Sequence, residues 1–189
     1  GNFKKWQSVK PEYRDDRFDT MARHHTEWGH KSIYTNTTGR NDFVVLKVAY
    51  DAKNVYFYAR TQTPITGFGE PDWMLLLINT KRRGSKGWEG FNYIVNRRVL
   101  NHRVTMLEKC SGGWNWQPAA RLQYRVRGCE MELAVPRSAL GLTGGKPAIL
   151  DFKWMDNVAA EKDMLNLYRN GDTAPNGRFR YRFWTKDEG

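Results

Sequence analysis

From Trp73 to Ile78 the chain is apolar at every position (Trp-Met-Leu-Leu-Leu-Ile), between Asp72 and Asn79. A strand with one wet face alternates, so an unbroken run predicts burial on both sides. The run is too short for a membrane span, which needs about 20 apolar residues. A basic turn with Lys81, Arg82, Arg83 and Gly84 follows, and Gly87 to Asn96 returns as an aromatic-rich strand. Together they predict a central hairpin with the remaining strands laid around it.

Elsewhere shorter strands are set off by turns, and the later ones alternate. Phe43–Tyr50 and Val55–Arg60 flank the turn Asp51–Asn54, whose Asp and Asn corners are hairpin chemistry. Leu122, Tyr124 and Val126 share one face of 121–127, and Met131, Leu133 and Val135 one face of 130–135, joined at Gly128-Cys129. In 148–154, Phe152 and Trp154 face one way and Lys153 the other. The closing run 178–183 places Phe179, Tyr181 and Phe183 inward and Arg178, Arg180 and Arg182 outward. Lys31–Tyr34 and Arg103–Glu108 are shorter strands, and 110–118 reads as a glycine-rich loop carrying Trp114 and Trp116. Pro136–Leu142 predicts one helical turn ended by Gly141, 161–168 a short helix or irregular strand, and 171–177 a turn cluster. Residues 1–29 show little periodicity, and the stretch 24–30 reads as a polar loop crossing the end of the fold. No long repeat is visible. These about ten short strands predict an all-β fold: a two-sheet antiparallel β-sandwich of jelly-roll type, with one or two short helical turns, in a single domain over 1–189.

Composition supports that picture. At 189 residues with 40% hydrophobic and 14% aromatic content, the chain can bury a self-sufficient core, and disorder is excluded for most of it. Thirty-one basic against 20 acidic residues give a net charge of +11, which permits an acidic polysaccharide, nucleic acid or an anionic surface as partner. The basic residues are interspersed with apolar ones, so a solvated surface and a functional patch both fit. Cys110 and Cys129 fall on separate elements, beyond the roughly 7 Å reach of a disulfide, and are expected as free thiols. No signal-peptide pattern is seen, and the opening Gly1 leaves a removed export signal open.

The candidate chemistry is aromatic. Flat exposed rings attract the apolar faces of sugars while amides and charges satisfy the hydroxyls. Trp114 and Trp116 would point the same way on an extended backbone, giving a two-ring platform; the structural alternative is a cap on the core. Trp88 with Glu89, and Trp28, are further candidates. Trp73 and Trp154 read as core, Trp6 and Trp184 as terminal packing. His24, His25 and His30 with Glu27 match no zinc signature. Asp15, Asp16 and Asp19 could offer oxygens to calcium but lack the EF-hand pattern. A glycosidase needs two carboxylates across a cleft, and nothing in the spacing of Asp72, Glu89 and Asp156 pairs them. If the strands carrying Arg121, Arg125 and Arg127 and Arg178, Arg180 and Arg182 were neighbours, six guanidiniums would share a face able to grip sulfated or uronic-acid chains. The alternation sets rings opposite arginines and no RNA-binding motif appears, which argues against nucleic acid.

Trp88-Glu-Gly90, Leu133-Ala-Val-Pro136, Asp151–Asn157 and Gly171-Asp-Thr-Ala-Pro175, taken in order, resemble the family 9 carbohydrate-binding modules and their DOMON-like relatives, of the kind common in polysaccharide-degrading gut bacteria. The resemblance covers about Thr38 to Phe183. It implies a sandwich that binds sugars without cleaving them, often with structural calcium, in an exported, monomeric protein associated with glycoside hydrolases. By position it sets one aromatic plate near Phe68 and polar contacts near Leu75, Ile94 and Lys153. Of the last three only Lys153 is polar, and no aromatic residue lies where the second plate falls, between Gly171 and Arg178. The candidate site residues are thus Phe68 and Lys153, as the resemblance implies, with Trp114, Trp116, Trp88 and Glu89 from the exposed-ring reading. The alternatives are a glycoside hydrolase or its ancillary domain, and a structural domain without ligand.

Overall fold

The computed structural model describes residues 2–26, 33–80, 87–142, 148–161 and 163–185. Its strands are β1 (Glu12–Arg14), β2 (Arg23–Thr26), β3 (Ile33–Asn36), β4 (Phe43–Tyr50), β5 (Asn54–Thr61), β6 (Leu75–Asn79), β7 (Tyr93–Asn101), β8 (Val104–Gly112), β9 (Asn115–Arg127), β10 (Glu130–Pro136), β11 (Ile149–Asp156), β12 (Asp172–Ala174) and β13 (Tyr181–Trp184). Two 3-10 turns (Phe3–Gln7, Ser138–Leu140) and one helical turn, α1 (Asn166–Arg169), complete the described elements. The fold is all-β and antiparallel, as the alternation predicts. No helix among the described residues is long and apolar enough to cross a membrane.

The strands run β1-β4-β5-β10-β9-β8-β7-β6-β11, with β12 and β13 both on the outer edge of β11. β9 carries the chain from one layer to the other. Its residues Asn115–Gln123 pair with β8, whereas Tyr124–Arg127 pair with β10. The two halves then close face to face. Phe57 of β5 meets Phe152 of β11 with ring centroids 5.9 Å apart, and Phe43 of β4 meets Trp154 at 6.0 Å. These strands are remote in the ladder, so the contacts define a sandwich with its core between the layers.

The open side opposite β9 is sealed by tyrosines. Tyr13 of β1 packs edge-on against Phe152 and donates to the Arg182 carbonyl at 2.7 Å. Tyr181 of β13 donates to the Arg14 carbonyl, also at 2.7 Å.

The unbroken apolar run has the predicted cause. Leu76 and Ile78 face the main core, and Leu75 and Leu77 face a second cluster on the outside of the layer. That cluster holds Ile94, Trp116, Met155, Trp88, Phe91 and Leu167, and segments 87–91 and 158–167 cover it. A third cluster lies on the opposite outer face, where the N-terminal 3-10 turn lays Phe3 and Trp6 on Val45 and Tyr58. Trp6 stacks on Tyr58 at 5.0 Å, in keeping with terminal packing.

Other expectations shift locally. The second strand of the central hairpin starts at Tyr93 rather than Gly87. Glu89 and Gly90 adopt positive φ (48° and 82°), and the turn is closed by a Trp88–Phe91 bridge. Residues 110–118 are the tip of a β8–β9 hairpin rather than a loop, because Gly112 and Gly113 supply positive φ and Gly112 pairs with Asn115. Asp172–Ala174 is a short strand on β11. Phe179 precedes β13 and is 76% exposed, and Trp184 is 63% exposed rather than packed. Cys110 and Cys129 are free thiols. The basic turn 81–86 and the stretch 27–32, with Glu27, Trp28 and His30, lie outside the described residues.

Gly171 is required by both backbone and space. Its φ is +53°, and a Cβ there would sit 1.9 Å from the Asp156 carbonyl oxygen. Backbone cannot yield as a side-chain tip does, so Gly171→Ala is expected to cost more than about 1 kcal/mol. Urea unfolding at unchanged m-value measures it; an unshifted midpoint would show that the contact relaxes freely.

Candidate functional site

Outward-facing positions on β5, β10 and β9 alternate with core residues and line a broad, shallow cleft. Tyr56 comes from β5, Glu132 and Ala134 from β10, and Gln123, Arg125 and Arg127 from β9. The N-terminal 3-10 turn forms one wall with Phe3 and Lys5, and the β7–β8 turn the other with His102 and Arg103. The cleft measures about 790 Å3, within the range of small-ligand sites. Glu132 is already engaged, by Lys5 at 2.9 Å and by the Trp6 indole N–H at 2.7 Å. Among the described residues, Arg103, Arg125 and Arg127 have no acidic partner. Three exposed guanidiniums beside an amide form a surface for anionic groups, which the planar fork binds in pairs of parallel hydrogen bonds.

The six-arginine face does not form, because β8, β7, β6 and β11 separate β9 from β13. The C-terminal arginines are occupied locally. Arg178 pairs with Glu89 at 2.8 Å. Arg180 lies 4.5 Å over the Phe91 ring and donates to the Glu89 carbonyl. Arg182 grips Asp151 with two bonds of 2.7 and 3.1 Å.

The three hairpin-region indoles do come together. Trp114 lies between Trp88 (4.6 Å) and Trp116 (5.5 Å), and both ring pairs are close to perpendicular. Trp116 is 5% exposed and Trp88 is also buried. Edge-to-face packing in a cluster is core-capping geometry. The coplanar two-ring platform is therefore absent, and only Trp114 is half-open. Glu89 is on the surface in its pair with Arg178, and Phe68 is exposed with its edge against Trp73.

Lys153 is sealed beneath the C-terminal segment, where its ammonium donates to the carbonyls of Pro175 and Phe179. Burial lowers its pKa to about 7. Leu75 and Ile94, beside it in the resemblance, are fully buried. That sheet face carries a second core, so a saccharide cannot reach these three positions.

At one end of the sandwich carboxylates converge. One oxygen each of Asp15, Asp19 and Asp172 lies within 4.8 Å of the others. Asp172 accepts from the Phe43 N–H, and Asp42 from the Phe18 N–H, both at 2.7 Å. Burial raises the pKa of all four, Asp15 to about 7, with Asp19 adding to the shifts of Asp15 and Asp172. Sequence reading found Asp15 and Asp19. Asp42 and Asp172 lie far off in the chain, in segments that read as loop edge and turn, and only the fold brings them in. His102, Arg103, Gln123 and Tyr56 were likewise missed, since they carry no motif and meet only across three strands.

Compared with known proteins, the chain matches no family model, no curated protein and no solved structure.

Proposed function

We propose that this chain is a non-catalytic carbohydrate-binding module whose ligand is an acidic oligo- or polysaccharide lying in the cleft over β5, β10 and β9. The observation that carries this reading is the group of three acid-free guanidiniums, Arg103, Arg125 and Arg127, along an open cleft of about 790 Å3. Carboxylates or sulfates on successive sugars would meet these forks, and Gln123 would serve hydroxyls. Cleavage calls for two carboxylates flanking the bond. The cleft's lining offers Glu132, which Lys5 and Trp6 hold, and this favours capture over hydrolysis. The role fits an exported protein working beside glycan-degrading enzymes, as the resemblance implies.

The Arg125→Ala/Arg127→Ala double variant is expected to weaken binding to uronic-acid or sulfated oligosaccharides about tenfold to a hundredfold. Trp114→Ala should bind as wild type. A glycan array followed by titration calorimetry checks both. Loss in Trp114→Ala with normal binding by the arginine variant would move the ligand to the β8–β9 hairpin. Equal binding of neutral glycans would remove the acidic reading, and release of reducing sugar would overturn the non-catalytic one.

A further inference from the structure

Two glutamates stand where they could cancel the cleft's charge. In the β9–β10 ladder Glu132 is directly opposite Arg125, and Glu130 is directly opposite Arg127. Residues in register on neighbouring strands share a face, and opposite charges so placed attract. Yet both acids are turned the other way. Glu132 accepts from the Lys5 ammonium at 2.9 Å and from the Trp6 indole N–H at 2.7 Å. Glu130 accepts from the Tyr58 hydroxyl at 2.7 Å.

The donors that turn them are themselves fixed. Lys47, Tyr58, Glu132 and Arg125 are in register across β4, β5, β10 and β9, and so form one row on the outer face. The N-terminal 3-10 turn lies over the middle of that row. Trp6 stacks on Tyr58 at 5.0 Å, and its carbonyl accepts from the Lys47 ammonium at 2.8 Å. Trp6 is 3% exposed and Lys47 5%, so the indole N–H has a set place and direction. Lys5 adds a charge from the exposed side.

We infer, taking the cleft over β5, β10 and β9 as the ligand site, that Lys5 and Trp6 are positioning residues which keep Glu132 off Arg125. A guanidinium offers its parallel donors as one fork, so a carboxylate of the protein and an anionic group of the ligand compete for them. An exposed ion pair across two strands is weak. Two donors, one of them held in a packed cluster, are enough to turn Glu132 away. The Lys5 charge also offsets that of Glu132, which would otherwise repel an approaching anion. Tyr58 does for Glu130 and Arg127 what Trp6 does for Glu132 and Arg125. The N-terminal turn thus does more than wall the cleft: it keeps the cleft's positive charge available.

The test titrates a uronic-acid tetrasaccharide calorimetrically into the whole chain. Trp6→Phe/Lys5→Gln keeps a ring on Tyr58 and removes both donors to Glu132. With native circular dichroism, it should raise Kd about two- to fivefold, the strength of a released cross-strand pair. Lys5→Gln alone, at an exposed position, should move Kd the same way by less. With Glu132→Gln added, the same substitutions should cost nothing further. An unchanged Kd in the double variant would overturn the inference. So would an equal loss with and without Glu132→Gln, which would place Lys5 directly on the ligand. The Arg125 Nε–Hε resonance of the ligand-free protein is the independent readout. Glu132→Gln should leave it in place in the wild-type chain and move it in the double variant. If the wild-type chain bound no tetrasaccharide, the proposed ligand would fall and this resonance alone would decide: an equal response in both chains would overturn the inference.

Discussion

Asp156→Ala is expected to destabilise the protein by about 3–5 kcal/mol, the cost of breaking a buried pair and leaving its partner charged. Asp156 is fully buried at the end of β11. Its Oδ2 accepts from Arg40 Nε at 2.7 Å, and its Oδ1 from Asn41 at 3.0 Å and the Met74 N–H at 2.8 Å. It thus holds three points of two separate loops, and Met74 sits at a positive φ of 47° that residues other than glycine rarely adopt. Removing the carboxylate leaves the Arg40 guanidinium with only the exposed Glu70 and the Pro71 carbonyl among the described residues, leaves the Met74 N–H without its acceptor, and frees that strained residue. Asp156→Asn keeps the shape but sets an NH2 against one of three donors, so it should recover only part of the loss. Urea unfolding with the m-value held constant separates the two variants. An alanine variant within about 1 kcal/mol of wild type, the range of a surface pair, would show that the network contributes little.

Trp154→Ala comes next, at about 3–5 kcal/mol, the range for deleting a buried aromatic side chain. Trp154 is completely enclosed on β11, between β6 and β12, with Phe43 at 6.0 Å across the layers. The strands around it are paired on both sides, so the void cannot collapse. Its indole N–H has no partner among the described residues. Trp154→Phe removes that orphan donor while filling much of the volume, and should therefore cost well under half as much as alanine. Thermal and urea unfolding of both variants test the order, and a phenylalanine variant as unstable as alanine would contradict it.

The parts legible in the sequence were those governed by local period. β10 is where alternation puts it, because a half-buried strand imposes its two faces on neighbouring residues, and β4 and β5 are where the Asp51–Asn54 turn puts them. The doubly buried run at Leu75–Ile78 was legible for the converse reason. What failed to show was any feature set by meetings across the fold. Trp6 packs as expected near the terminus, but nothing local names Tyr58 as its partner. Trp116 stayed open between an exposed platform and a core cap because its strand was hidden by glycines that the hairpin tip uses for positive φ. Phe179 alternates correctly with Tyr181, yet β13 begins two residues later and leaves it in solvent.

The same distinction runs through the candidate site. Arg125 and Arg127 were visible as an outward stripe, but their companion Arg103 comes from another turn. The partners expected from the closing strand were engaged by Glu89 and Asp151 instead. Lys153 was correctly set opposite Phe152 and Trp154, while the C-terminal segment that seals it, through the Pro175 and Phe179 carbonyls, is placed there only by the fold. A side chain's direction is local information; what waits on that side is not.

The most direct measurement is an amide chemical-shift titration of the labelled protein with a uronic-acid tetrasaccharide. The cleft reading predicts that the largest changes fall on Gln123 to Arg127, Glu132 to Ala134 and the His102-Arg103 turn, and shrink as salt is added. Changes confined to Gly112–Trp116, or no changes at all, would contradict it.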